Sequence, residues 1–387
     1  LLEIKDPTNQ AVRALNISDT RNFAFTWDGK NNSGAVVPDG SYSTHFTITE
    51  PSLGLEVPTQ RGQTPVVVDT TFPEATVTNP VSGQSLFGFS YDILGSANDL
   101  NLDKFTIDRA TEAAPTTYTT FGTGITNIFN GLLASWLNLH AFNNGNYFIR
   151  LQANDKAANT STLVIPVSLD NIVLSNISRT PTQINPLLVG ENAVITYSVD
   201  RPATVTLKLF SEDMDGLVKT LANGVAQSAG TYTFSWDGTT DSEGLAPFKN
   251  AYYFTIEASD GAGKVDRYDP PVLPLTSNVM FSKDNPTGFD PYKNELLPIT
   301  FSVPVPVRQG LDVLVNNQVI RNLTLSEPFA EGTQTVFWDG RDGNGNLIPT
   351  DTPYSIFRYL PAKLPENAII TKDDTLKVDH LRANAYV

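Results

Sequence analysis

The sequence predicts an all-β chain of tandem β-sandwich domains, and three observations carry that expectation. Segments such as Ala193-Val194-Ile195-Thr196-Tyr197-Ser198-Val199 and Thr204-Val205-Thr206-Leu207-Lys208-Leu209-Phe210 alternate or run apolar over strand-like lengths and are rich in β-branched and aromatic residues. Glycine and proline, 26 of each, interrupt them at short intervals, as turns between short strands require. The 387 residues also exceed the length of about 100 typical of one sandwich several times over. The only stretch with helical spacing is Asn130 to Leu139, where Leu132, Leu133, Trp136 and Leu139 would share a face. Gly131 within it favours a loop or strand edge.

One pattern occurs three times. It reads Phe25-Thr26-Trp27-Asp28-Gly29 followed by Gly34, Pro38 and Tyr42; Phe234-Ser235-Trp236-Asp237-Gly238 followed by Gly244, Pro247 and Tyr252; and Val336-Phe337-Trp338-Asp339-Gly340 followed by Gly345, Pro349 and Tyr354. In every copy the proline stands eleven positions after the tryptophan, which predicts one fixed loop geometry. A second element precedes each tryptophan: Val12-Arg13-Ala14-Leu15, Val218-Lys219-Thr220-Leu221 and Ile320-Arg321-Asn322-Leu323. The physical reading is a strand ending in tryptophan, a polar Asp-Gly loop, and a strand beginning at the tyrosine. Trp27, Trp236 and Trp338 are expected to be largely buried, each with Tyr42, Tyr252 or Tyr354 in its core. Asp28, Asp237 and Asp339 bond local backbone, while Gly29, Gly238 and Gly340 take a positive φ.

This pattern resembles the immunoglobulin-like domain of the flagellar hook-capping protein, which recurs in large secreted bacterial proteins. The resemblance implies immunoglobulin-like or fibronectin-III-like sandwiches in an elongated extracytoplasmic array, without implying hook assembly. The segment 69–170 looks like another bacterial immunoglobulin-like class common in surface proteins. It opens with Asp69-Thr70-Thr71-Phe72-Pro73 and closes with Asp155-Lys156-Ala157-Ala158-Asn159, and Trp136 sits where that class often places a core aromatic. The expected organisation is therefore an incomplete hook-cap-type domain at 1–68, the second class at 69–170, hook-cap-type domains at 171–275 and 276–364, and a tail at 365–387. Joints of a few residues, such as Val66-Val67-Val68-Asp69, Val167-Ser168-Leu169-Asp170 and Val272-Leu273-Pro274-Leu275, predict stiffness. Relative to the third and fourth domains, the first lacks its opening strands, so a groove or sheet edge is expected to stand open. The tail reads as a lead-in strand to a further domain or a neighbouring subunit. Either the chain is an excerpt of a longer repetitive one or the tail of one subunit completes the first domain of the next by strand addition, and in either case the two ends are expected to meet head to tail along a polymer axis.

Composition narrows the chemistry. Cysteine is absent, so disulfides, thiolate metal sites and cysteine nucleophiles are excluded. A net charge of -15 argues against a nucleic-acid partner. No apolar run reaches the roughly 20 residues that span a bilayer. The histidines His45, His140 and His380 fall in different domains without metal-ligand spacing, and no Gly-x-Ser-x-Gly elbow is present. The loop Asp339-Gly340-Arg341-Asp342-Gly343-Asn344-Gly345-Asn346 brings calcium to mind, but it lacks a closing bidentate Glu and reads first as a turn. Tyr252-Tyr253-Phe254 and Tyr147-Phe148 offer aromatic rings to a glycan, although strand alternation explains them as core. The chain is thus expected to be non-catalytic, with no cofactor or metal. It reads as an extracellular structural protein, a repetitive subunit or stalk of a bacterial surface filament, sheath or appendage, with an adhesin or carbohydrate-binding module as the alternative.

Overall fold

A computed structural model describes residues 1–16, 25–50, 55–57, 65–212, 216–271, 283–284 and 289–372. The fold is all-β, and among the described residues the helical content is two 3-10 turns, Leu139–Ala141 and Pro291–Lys293. The chain divides into two compact units, one of Leu1–Leu86 with Ser90–Asp170 and one of Phe87–Phe89 with Asn171–Val387.

In the first unit, residues 1–68 form one four-stranded antiparallel sheet in the order Ala11–Leu15, Leu2–Lys5, Gly40–Phe46, Pro65–Val68. A short hairpin, Ile48–Glu50 with Leu55–Val57, stands beside it in sequence. Ile4, Val37 and Tyr42 are its buried centre, with Val12, Trp27 and Val68 packed against them. The following segment is a complete sandwich. Its larger sheet runs Thr119–Gly124, Leu102–Thr111, Gly145–Asp155, Thr160–Leu169, Ser85–Leu86, and its smaller one Ile128–Leu137, Ser90–Asn98, Glu74–Asn79. Alternate residues of Gly145–Asp155 point inward, so Tyr147, Ile149, Leu151 and Ala153 meet Trp136, Phe105 and Ile93 in one core.

Ile128–Leu137 is the stretch whose spacing resembled a helix. It is a strand in which the register shifts twice, between Ile128 and Gly131 and between Leu132 and Ala134. Such bulges break the period of two, which is how Leu133 and Trp136 both face the core.

The second unit holds two sandwiches. In the first of these, Leu174–Thr180, Ala193–Val199 and Gly230–Trp236 form one sheet. The other sheet is ordered Gln183–Ile184, Ile369–Thr371, Ala251–Ser259, Ala203–Ser211, Leu217–Gln227, with Val265–Tyr268 also on Ala251–Ser259. In the second sandwich Leu297–Val303 pairs with Gly332–Trp338, facing a sheet of Lys283–Asp284, Tyr354–Lys363, Val307–Val315 and Gln318–Phe329.

Two expectations change here. From its sequence the segment 365–387 is expected to lead into a further domain or a neighbouring subunit. Its first strand instead turns back, Ile369 and Ile370 pairing antiparallel with Tyr252 and Ala251, and Ile370 and Thr371 running parallel to Gln183 and Ile184. Burial of Ile369, Ile370 and Thr371 inside this unit is the physical reason. The remainder of the tail, 373–387, lies outside the described residues, as do His380 and the joint Val272-Leu273-Pro274-Leu275. The second change concerns Trp27, which is half-buried where Trp236 and Trp338 are fully enclosed. Trp236 and Trp338 end strands paired along their whole length with Ala193–Val199 and Leu297–Val303. Among the described residues, 25–28 have no such partner and form no strand.

Candidate functional site

The repeated tryptophan loop is the most regular construction in the molecule. In each copy the indole Nε1–H donates to the carbonyl three residues on, at Lys30 (2.8 Å), Thr239 (2.8 Å) and Arg341 (2.9 Å). The aspartate that follows accepts the backbone N–H two residues on, at 3.1 Å for Asp28, 3.0 Å for Asp237 and 3.1 Å for Asp339. Gly29, Gly238 and Gly340 take φ of 72°, 80° and 75°, the left-handed conformation that reverses the chain. A short bridge then closes each loop, Lys30 with Val36, Thr239 with Leu245 and Arg341 with Leu347.

The tyrosine stands edge-on to the tryptophan, with ring centroids 5.2 Å apart for Trp27 and Tyr42, 5.0 Å for Trp236 and Tyr252, and 5.0 Å for Trp338 and Tyr354. Tyr42 and Tyr252 donate their hydroxyls to the carbonyls of Pro38 and Pro247, both at 2.8 Å. In the last copy the Pro349 carbonyl accepts from Thr352. Burial pushes the Tyr42 and Tyr354 hydroxyls above their ordinary pKa.

The Val-Arg-x-Leu element is part of the same construction, a role its sequence did not reveal. Its first residue accepts a loop N–H through its carbonyl, Val12 from Asn32, Val218 from Asp241 and Ile320 from Gly343. Its basic residue donates to a loop carbonyl, Arg13 to Asn31 (2.9 Å), Lys219 to Thr240 (3.0 Å) and Arg321 to Asp342 (3.0 Å). The oxygens that brought calcium to mind are engaged in the turn. Asp342 Oδ1 accepts the N–H groups of Asn344 and Asn346, and the Asn346 bond holds this carboxyl below its ordinary range.

A different carboxylate group forms where the sequence showed none. Oxygens of Asp69, Asp99 and Asp155 lie within 4.8 Å of one another, with Asp99 and Asp155 buried, and these are the described residues that could hold a cation. Each also accepts internal bonds: Asp155 from the N–H groups of Ala157 and Asn159, Asp99 from Asn101 N–H, and Asp69 from the Asn101 side chain. The Asp155 to Asn159 turn has a second use, since Asn159 Nδ2 donates to the Asp69 carbonyl at 3.0 Å and ties down the start of the sandwich. Of the other residues weighed from sequence, Tyr252, Phe254 and Tyr147 are core, and His45 shares a hydrogen bond with Ser43 Oγ at 2.8 Å.

Within the second unit the two sandwiches are joined by a dense polar and apolar contact. Arg179 forks onto both oxygens of Glu331 at 2.9 Å and donates to the Ala368 carbonyl. Arg308 reaches the other way to Glu212 (2.9 Å) and Asn250 (2.7 Å), and Lys249 pairs with Glu327 (2.9 Å). Ala251, Ala330, Leu364, Ala368 and Ile370 form a small buried cluster among them.

Residues 1–52 match the family described as FlgD Ig-like domain. No curated protein matches the chain. Among solved structures, dimeric latent PorU from Porphyromonas gingivalis is similar at 14% identity and a TM-score of 0.21, over 59% of this chain and 23% of that one, so the present chain spans about a quarter of PorU. A tetra-tandem repeat from the extending region of a large adhesion protein is similar at 14% identity and a TM-score of 0.25, over 95% of this chain and 88% of that one. Part of a 1.5-MDa bacterial ice-binding adhesin is similar at 11% identity and a TM-score of 0.15, over 70% and 90%. Similarities at these scores do not bear on what the chain does. Among the described residues no helix is long and apolar enough to cross a membrane.

Proposed function

We propose that this chain is a structural segment of a bacterial surface assembly, a non-catalytic stalk or repeating subunit that works outside the cytoplasm. The observation that carries this reading is the join inside the second unit, where a returning strand, two Arg–Glu pairs and an apolar cluster hold two sandwiches together. A flexible tether would need none of these contacts, whereas a spacer that carries load does. The three near-identical tryptophan loops support the same reading, because their hydrogen-bonding groups are directed at the chain itself and leave no convergent reactive set. The second and third loops are read as further copies of the domain matched at 1–52, and subunits are proposed to associate head to tail. Negative-stain microscopy of native material tests this. Filaments, sheaths or rods built from this chain are the expected result, and dispersed particles that bind glycan would replace it with the adhesin reading.

A further inference from the structure

The arginines of the 69–170 sandwich are treated differently by their surroundings. Arg150 is neutralised by Asp108, at 2.9 and 2.8 Å, and lies over the Tyr118 ring. Arg109, the next residue along the strand from Asp108, has no carboxylate. Among the described residues no hydrogen bond or ion pair engages it, and its guanidinium carbon lies 4.4 Å from the Phe142 ring centre, 5.5 Å from Trp136 and 5.7 Å from Phe121. Three rings therefore flank the guanidinium while, among the described residues, all five N–H donors remain unused. Partial burial lowers its pKa, and a guanidinium keeps its charge in proteins.

A cavity of about 430 Å³ opens beside this group. Phe142, Tyr147 and Ala114 supply an apolar side, and Thr111, Thr117 and Thr119 supply hydroxyls. Its size lies in the range of small-ligand sites. Tyr147 donates its hydroxyl to the Asn143 carbonyl at 2.8 Å, which steadies the wall that carries Phe142. An aromatic face, hydroxyl partners and one unpaired planar cation together match a sugar ring that bears a carboxylate: C–H faces pack on rings, hydroxyls pair with threonines, and a guanidinium grips a carboxylate through two parallel bonds. A long polyanion is a poor fit for a chain of net charge -15, so recognition would be local, one acidic sugar at a time.

We propose that the cavity beside Arg109 is a binding site for uronic-acid residues of a polysaccharide, with Arg109 gripping the sugar carboxylate. The site stands on the first unit and does not depend on the stalk reading, which rests on the second. Isothermal titration of the full chain with trigalacturonate and with its methyl ester tests it. Saturable binding of the acid is expected at low salt, weakening as salt rises, with the ester at least tenfold weaker. Arg109→Gln should lose at least tenfold in affinity and Arg109→Lys several-fold, because a lysine keeps the charge and loses the fork. Since Arg109→Gln exposes the rings beneath it, the double variant Thr117→Val with Thr119→Val serves as a second probe that leaves Arg109 in place, and it should bind several-fold more weakly. Absence of saturable binding, equal binding of acid and ester, or unchanged affinity in a folded Arg109→Gln or the threonine double variant would overturn the proposal.

Discussion

Trp236 and Trp27 occupy the same place in two copies of one motif and differ in what covers them. Trp236 is 0% exposed at the end of a strand paired with Ala193–Val199, whereas Trp27 keeps its indole bond and its tyrosine and has no such paired strand among the described residues. Trp236→Ala should therefore cost about 3 to 5 kcal/mol, as large core truncations do, and Trp27→Ala distinctly less. Hydrogen exchange of the full chain, followed peptide by peptide, reads the two losses separately. Single-tryptophan variants should show Trp27 more open to acrylamide quenching than Trp236. The loop glycines diverge in the same way. An alanine at either carries the left-handed penalty of about 1 to 2 kcal/mol. At Gly238 its Cβ would also lie 2.5 Å from Pro186, while at Gly29 it meets nothing within 4 Å. Gly238→Ala should be the more damaging change in a thermal melt. The aspartates add a pH dependence of known sign. The Thr239 hydroxyl holds the Asp237 carboxyl below its ordinary value of 3.8. Stability from that bond is complete above the unfolded value and is lost as pH falls through the lower folded value. Trp236 fluorescence followed into acid should report loosening below about pH 4, and Asp237→Asn should flatten that acid limb while weakening the loop at neutral pH.

At the scale of elements, the tryptophan loop is a small machine whose parts were half legible. The invariant eleven-residue spacing from tryptophan to proline announced one geometry, and the loops share it. The role of Arg13, Lys219 and Arg321 was hidden, because a basic residue on a half-buried strand resembles an ordinary surface charge until the loop carbonyl it serves is in view. The Nε groups of Arg13 and Arg321 are buried without a partner among the described residues, a cost that Lys219 avoids by lacking the atom. Arg321→Lys should thus keep the loop and leave the melting temperature unchanged or higher, whereas Arg321→Met, which removes one of the two bonds to the Asp342 carbonyl and leaves the one from Gly345 N–H, should lower stability by about 0.5 to 1.5 kcal/mol in denaturant unfolding. The strand Ile128–Leu137 teaches the complementary lesson: its bulges copy helical spacing, and only the ladder with Ser90–Asn98 resolves the ambiguity.

On the scale of the whole molecule, the two sandwiches of the second unit depend on contacts between residues far apart in the chain. Arg179 and Glu331 are 152 positions apart, and Asn250 and Thr371 are 121 apart. Replacing Ile370 by Asp, or Glu331 and Arg308 together by Ala, should uncouple the pair: calorimetry is expected to show one transition for the second unit in the parent chain and two in the variants. A single unchanged transition would remove the main support for a load-bearing join. The all-β class, the repeated loop and its turn residues are legible in the order of amino acids, because strand alternation, Asp-Gly chemistry and proline spacing are local and write themselves into consecutive positions. Tertiary structure alone decided that Ile369–Thr371 returns to an earlier sheet, that Asp69, Asp99 and Asp155 meet, and that Arg109 lies unpaired over three rings. Those outcomes depend on which edges and side chains are left uncovered once the sheets have closed, and a three-residue strand or a lone arginine carries no local pattern that names its partner.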